Sequence, residues 1–433
     1  MSTIIEADLT YVDGRFQRGL QVEIDGDRIA RVGPLGATPT QRLVGRALLP
    51  GFVNAHSHAF QRGLRGLGES YPEGMGDFWT WREAMYSLVL SLDRESMFRL
   101  CKQAFDEMLA AGFTTVGEFH YLHHSNIAAD SPADAPGDFA FDDVVLEAAA
   151  ASGIRIVLLQ SFYKTGGFGQ PLVGGQRRFS TPSVEAFLRN VDGLAARTRG
   201  ATQSIGVAPH SLRAVPLDDL SALVAAAEQR KLVCHIHVEE QRKEIVDCAA
   251  AIRRTPLEWL LANVRLSPRF TMIHATHSTL ETLRRYVDTG ANVCICPITE
   301  GNLGDGLADV ATMLHRPDAV CIGTDSNVRI DAIEELRWLE FVRRLRHERR
   351  GICKNASGEV AAQLLRCGAE NGGRALGQKI GRIESGYLAD LIAIDIGDPS
   401  LAGATDASLA PALVLGSSGA VVREVAVGGR WVR

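Results

Sequence analysis

From about residue 50 onward the chain repeats one pattern eight times: an apolar, β-branched run followed by a segment of helical periodicity. The runs are ALLPGFVNAHSH, FTTVGEFHY, IRIVLLQSF, SIGVAPHS, LVCHIHVEE, FTMIHATH, ANVCICPIT and AVCIGTDS, and segments such as LDDLSALVAAAEQRK and STLETLRRYVDTG separate them. Strands that alternate with helices assemble into a parallel sheet, and eight such units predict a closed (β/α)8 TIM-like barrel over residues 49–380. Chemically able residues stand where the runs end: His56, His58, Tyr121, His210, His237, Glu240, His274 and Asp325. Barrel enzymes carry their chemistry at the C-terminal ends of the strands, so these independent positions predict one shared mouth.

The flanks read differently. Residues 1–48 and 381–433 contain short alternating strands with glycine turns, such as LQVEIDGDRIARVG and VREVAVGGRWVR, and predict one small β-sandwich built from both termini. SPADAPGD (131–138) and GGFGQPLVGG (166–175) interrupt the barrel pattern and read as long loops over the mouth.

Composition removes several classes of function. The net charge of -5 offers no field for nucleic acid or an anionic membrane surface. The basic run Arg343, Arg344, Arg346, Arg349 and Arg350 follows Trp338 and Phe341, includes Glu348, and reads as a solvated helix face. No stretch approaches the roughly 20 apolar residues of a membrane span, and MSTIIEADLTYVDGRF lacks the features of a secretory leader. Eight cysteines without dense regular spacing read as reduced and buried, with Cys294 and Cys296 as core residues, so a cytoplasmic chain is expected.

His56 and His58 lie two apart in NAHSH, so they point to the same side of a strand and can grip one cation. Alone, such a pair is as consistent with structural histidines. His237, His274 and Asp325 at other strand ends add imidazole and carboxylate, the ligands that suit Zn²⁺ and related ions. His235 is two residues from His237, and spacing does not choose between them. Glu240, three residues beyond His237, favours His237, because a carboxylate there can sit beside an activated water and pass protons. Glu239 suits equally well the competing role of a helix N-terminal acid. A cation held this way brings the pKa of bound water near neutrality; Asp325 can take the proton, and His274 can polarise the group under attack.

LLPGFVNAHSHAFQR, TTVGEFHYLHH, GFGQPLVGGQRRF, GVAPHSLRAV, HIHVEEQRKE, IHATHS, TEGNLGDG and GTDSNV followed by EELRWLEF together resemble the amidohydrolase superfamily, in its N-formimino-L-glutamate deiminase branch, over nearly the whole chain. The resemblance implies one divalent ion, taken as Zn²⁺, on His56, His58, His237 and Asp325, with Glu240, His274 and Asp325 in proton transfer and polarisation. No lysine stands in APHS to bridge a second ion. Substrate contacts are implied at Gln61, Arg82, Tyr121, His210 and Arg213, and two arginines suit a substrate with two carboxylates. Taken singly, Arg82 reads as a surface helix residue, Arg213 as a loop ion pair and Gln61 as a loop cap. Two stretches depart from the resemblance: Asn327 and Arg329 replace histidine and serine after Asp325, and Glu239 replaces alanine. The implied reaction is hydrolytic deimination of N-formimino-L-glutamate in histidine breakdown. Deamination of another amidine, a guanidino acid or a purine- or pterin-like ring is the alternative, and a non-enzymatic barrel is the third reading. The partners expected are a small dicarboxylate substrate and a second copy of the chain in a homodimer, with no nucleic acid and no membrane.

Overall fold

The computed structural model describes residues 2–67, 69, 74, 76, 78–128, 130–132, 137–198 and 200–433. All eight apolar runs form strands of one sheet: β1 (Phe52–Ser57), β2 (Phe113–His120), β3 (Arg155–Phe162), β4 (Gln203–Pro209), β5 (Cys234–Val238), β6 (Phe270–His274), β7 (Asn292–Ile295) and β8 (Val320–Ile322). Each pairs in parallel with the next in chain order. Parallel neighbours need crossovers, and helices supply them. Leu280–Asp288, between β6 and β7, buries Leu283, Tyr286 and Val287, and its Thr279 cap accepts from Thr282 N at 3.2 Å.

The barrel closes through a narrow seam. β1 and the residues after β8 meet at a single parallel bridge, Ser57 with Asp325. Asp325 N donates to His56 O (3.0 Å), and His58 N donates to Asp325 O (2.9 Å). Below them Asn54 Nδ2 donates to Thr324 Oγ1 at 2.6 Å. The approach requires glycine at 323, where a Cβ would stand 2.7 Å from His56 O.

The termini build a separate sheet, as their alternation predicts. Thr3–Val12, Arg15–Gln17, Leu20–Asp25, Arg28–Pro34 and Gln41–Pro50 join Leu391–Asp395, Val422–Val427 and Arg430–Trp431. Gln41–Pro50 lies at the junction of the two contributions, parallel to Thr3–Val12 and antiparallel to Leu391–Asp395. A buried bidentate pair, Arg155 Nε to Asp390 Oδ2 (2.7 Å) and Nη2 to Oδ1 (2.9 Å), fastens this unit to the start of β3. Removing one partner of such a pair costs about 3–5 kcal/mol.

All eight cysteines are free and buried. The basic run needs one correction: Arg344 and its neighbours line the outer side of helix Ala332–His347, but Arg343 is buried, its guanidinium reaching Ala308 O. Of the loop 131–138, residues 133–136 lie outside those described. The connection after β3 carries a short turn, Gly174–Phe179, that brings Gln176 and Phe179 inward. No helix among the described residues is long and apolar enough to cross a membrane.

Candidate metal and substrate site

At the C-terminal mouth, His56 Nε2 and His58 Nε2 each stand 3.4 Å from Asp325 Oδ1, and His237 Nε2 stands 3.3 Å from His56 Nε2. Donors about 2.0–2.1 Å from a common tetrahedral ion are separated by about 3.3 Å, so these three contacts have the spacing of metal ligands; His56, His58 and His237 form one close group, and His56, Asp325 and His274 a second that shares His56. Two rings are oriented for that task from behind: His58 Nδ1 pairs with Phe119 O (2.7 Å) and His237 Nδ1 with His210 O (2.9 Å). With Nδ1–H spent on these carbonyls, the Nε2 lone pairs face one another across the centre. Burial, then the neighbouring His56, pushes His58 down to about 3, and burial pushes His237 well down, so both rings stay neutral as ligands must. Burial opposes the Asp325 carboxylate, but hydrogen bonding and charge from His56 hold it below the ordinary range.

His274 stands on the far side of Asp325. Its Nε2 lies 3.8 Å from both Asp325 Oδ2 and Glu240 Oε1, and its Nδ1 lies 3.3 Å from Glu300 Oε1. Burial would lower its pKa, but Glu240, Glu300 and Asp325 outweigh it and raise His274 to about 10. Glu240 is itself raised, by burial first. A carboxyl ready to hold a proton and an imidazolium ready to polarise an acceptor therefore face one point beside the ligand set.

The two ambiguous pairs resolve in space. His235 points away and bonds Ala375 O at 3.0 Å. Glu239 accepts from Leu257 N at 2.9 Å, at the start of helix Pro256–Asn263, and from Ser278 Oγ, leaving Glu240 to line the pocket. Glu239, His274, Ala275, Asp325 and Asn327 all have positive φ, from 49° to 72°. Such left-handed non-glycine backbone costs of order 1–3 kcal/mol per residue and concentrates at functional sites.

Asn327 is buried at the seam. Its Nδ2 lies 3.1 Å from Ser57 Oγ, His58 O and Asp325 O, and its Oδ1 accepts from Thr324 Oγ1 at 2.6 Å. It thus braces the seam directly behind two of the ligand residues. Arg329 turns away to Glu334 and Asp331, and is half exposed.

The pocket above the ligand set is lined by Gln61, Arg82, Tyr121, His210 and Arg213, together with Phe78, Trp81, Met85, Tyr86, Tyr163 and Phe179. Gln61 Nε2 donates to Tyr121 Oη at 2.5 Å, while its buried Oε1 has no partner. Among the described residues Arg213 donates no side-chain hydrogen bond; its buried Nε is unpartnered, and its charge is offset only by Glu244 and Glu240 nearby. Arg82, on helix Phe78–Ser91, lies over the rings of Trp79 and Tyr86 and spends only Nε, on Tyr86 Oη. Both guanidinium groups therefore face a small enclosed space without a carboxylate partner among the described residues. Tyr86, Tyr163, Gln176 and Glu300 were not singled out from the sequence; only the fold brings their helix faces and loops here.

A second cluster of ligand types, His120, His123 and Asp142, lies buried behind the barrel wall. Its spacing is that of hydrogen bonds: His123 Nδ1 is 2.7 Å from Asp142 Oδ1 and its Nε2 is 2.7 Å from Ser161 O. Gln160 and Asn190 complete the contacts of Asp142. The group ties β2 and β3 to helix Ala140–Ser152.

An eight-stranded parallel barrel with three histidines and an aspartate converging at its mouth defines the class of metal-dependent barrel hydrolases. The amidohydrolase family matches residues 47–432. A formimidoylglutamate deiminase of Pseudomonas aeruginosa is 39% identical over 435 residues, spanning 100% of this chain and 94% of its own. The crystal structure of an amidohydrolase from Brucella melitensis superposes with a TM-score of 0.88 at 33% identity, covering 99% of this chain and 94% of that one. A zinc-bound adenosine deaminase from Xanthomonas campestris shares the fold at 21% identity, with a TM-score of 0.81 over 99% of this chain and 92% of its own. This chain belongs to the amidohydrolase family.

Proposed function

We propose that the chain hydrolyses N-formimino-L-glutamate to N-formyl-L-glutamate and ammonia, a step of histidine breakdown, using one Zn²⁺ on His56, His58, His237 and Asp325. The observation that carries the substrate is the pair of unpaired guanidinium groups, Arg82 and Arg213, flanking the ligand set. Neither guanidinium has a hydrogen-bonded carboxylate partner among the described residues, so the site offers two open forks to a ligand that brings two negative charges. Full-length identity of 39% to the Pseudomonas deiminase supports the same reading.

The ion, when bound, supplies the Lewis acidity that makes water nucleophilic near neutral pH. The protein's own groups do the rest. Arg82 and Arg213 hold the carboxylates, which sets the formimino carbon over the mouth. Gln61, through its unpartnered Oε1, and His210 orient the formimino nitrogens. His274, charged and held by Glu300, polarises the group that receives oxygen. Water adds to the carbon of the C=N bond and Glu240 carries one of its protons to the terminal nitrogen; the proton of the resulting hydroxyl passes through Asp325 to the same nitrogen as the C–N bond breaks, so ammonia leaves a formyl group. The second partner we propose is another copy of the chain, in a homodimer.

Ammonia release tests the reading: N-formimino-L-glutamate should be turned over far faster than guanidino acids, purines or pterins. Turnover of a heterocycle with none of the dicarboxylate overturns it. Metal analysis of the purified protein should return one equivalent of zinc.

A further inference from the structure

Tyr86 has an unusual hydrogen-bond balance. Its phenolic oxygen accepts from Arg82 Nε and from Gln176 Nε2, the latter at 3.0 Å. Gln176 cannot be turned the other way without loss, because its Oε1 accepts from Val173 N at 3.1 Å; its amide group is thereby aimed at Tyr86 and, at 3.4 Å, at Tyr163. Two incoming donors occupy both lone pairs of the phenolic oxygen, so its own hydrogen must be donated elsewhere. Among the described residues nothing accepts it, and the side chain lines the pocket beside Arg82. The terminal nitrogens of Arg82 are likewise without acceptors there. Arg82 and Tyr86, four residues apart on one helix, thus bring to the pocket donors that no described residue accepts.

We propose that Tyr86 is a further substrate-binding residue, donating its hydroxyl proton to the carboxylate that Arg82 holds, with Gln176 setting its direction. The inference rests on the dicarboxylate reading above. An arginine alone grips any carboxylate; an added hydroxyl at a fixed angle selects one whose position relative to the formimino carbon matches. Burial and the nearby Tyr163 push the Tyr86 hydroxyl up to about 12, so it remains a donor across the working pH range. Gln176 arrives on the turn Gly174–Phe179, which makes the connection after β3 a determinant of substrate choice.

The test is Tyr86→Phe in the zinc-loaded enzyme, with thermal midpoint and metal content measured alongside. The KM for N-formimino-L-glutamate should rise about tenfold with kcat nearly unchanged, the signature of one lost charge-assisted hydrogen bond. Two analogues locate it: N-formimino-4-aminobutyrate lacks the α-carboxylate, and N-formimino-L-2-aminobutyrate lacks that of the side chain. The variant should match the parent on one analogue and keep its tenfold defect on the other. Gln176→Leu should raise KM by a smaller factor with the same analogue preference. An unchanged KM in Tyr86→Phe, or an equal loss on all three compounds, overturns the inference while leaving the dicarboxylate reading intact. A parent enzyme that does not turn over N-formimino-L-glutamate overturns both.

Discussion

Arg213→Met separates a residue kept for binding from one kept for stability. The guanidinium is buried at the end of β4, donates no side-chain hydrogen bond among the described residues, and has only Glu244 and Glu240 nearby to offset its charge. In the free protein Glu244 and Glu240 more than offset the desolvation of this cation and raise its pKa, so Arg213 is tolerated there without a hydrogen-bonded counter-ion. With substrate it becomes a clamp able to make two charge-assisted hydrogen bonds, each contributing about 1.5–3 kcal/mol. Losing both costs at least about 3 kcal/mol, or about 100-fold in kcat/KM at roughly 1.4 kcal/mol per decade. Methionine nearly fills the volume without the charge. The expected variant thus loses about 100-fold in kcat/KM with only a small drop in thermal midpoint, and added N-formyl-L-glutamate stabilises the parent but not the variant. Steady-state kinetics and melting curves with and without that product provide the assay. A midpoint several degrees lower with kcat/KM within threefold of the parent would mean that Arg213 is a structural ion-pair residue, and the clamp argument would fail.

Glu240→Gln should retain its zinc, because Glu240 is not in the ligand set, yet lose at least 100-fold in kcat through the missing proton carrier; a rate near the parent's removes Glu240 from the mechanism. Glu244, raised by burial from an ordinary 4.5 to about 7, binds its proton more tightly in the folded chain than in the unfolded one, so its contribution to stability is lost as pH rises through that interval. Glu244→Gln should accordingly melt at a higher temperature than the parent at pH 8 and show little difference at pH 5, and a difference independent of pH would contradict this. Asn327→Ala leaves the buried Thr324 hydroxyl and the carbonyls of His58 and Asp325 short of partners, so urea titration should show a loss of about 1–3 kcal/mol, with weaker zinc retention.

The barrel was legible because every strand declares itself locally, as an apolar run ending in a functional residue, and the fold gathers such ends at one face without further information. A shared mouth follows from that rule, whereas His237 over His235 does not, since spacing left that pair open until Glu240 favoured His237. Glu239 and Glu240 could not be separated by spacing, since the choice depends on which of them meets helix Pro256–Asn263, a segment sixteen residues further on. Tyr86, Gln176 and Glu300 were silent for a related reason: they sit on helices and turns whose rotation is set by packing, and a tyrosine in WTWREAMY has no period that points to the mouth. Arg343 shows the converse, a charge read as solvated that the packing of helix Ala332–His347 against Ala308 encloses.

The narrow seam between β1 and β8 bears on how the protein is made. His56 lies in the first barrel strand to be synthesised and His58 directly after it, and Asp325 follows the last strand. Their meeting through Ser57 and Asp325 joins segments with almost the whole barrel between them in sequence, a contact that pays its loop-closure entropy last. A nascent chain that has not yet reached residue 325 has His56, His58 and His237 but lacks Asp325. Assembly of the candidate site therefore waits on the last strand of the barrel.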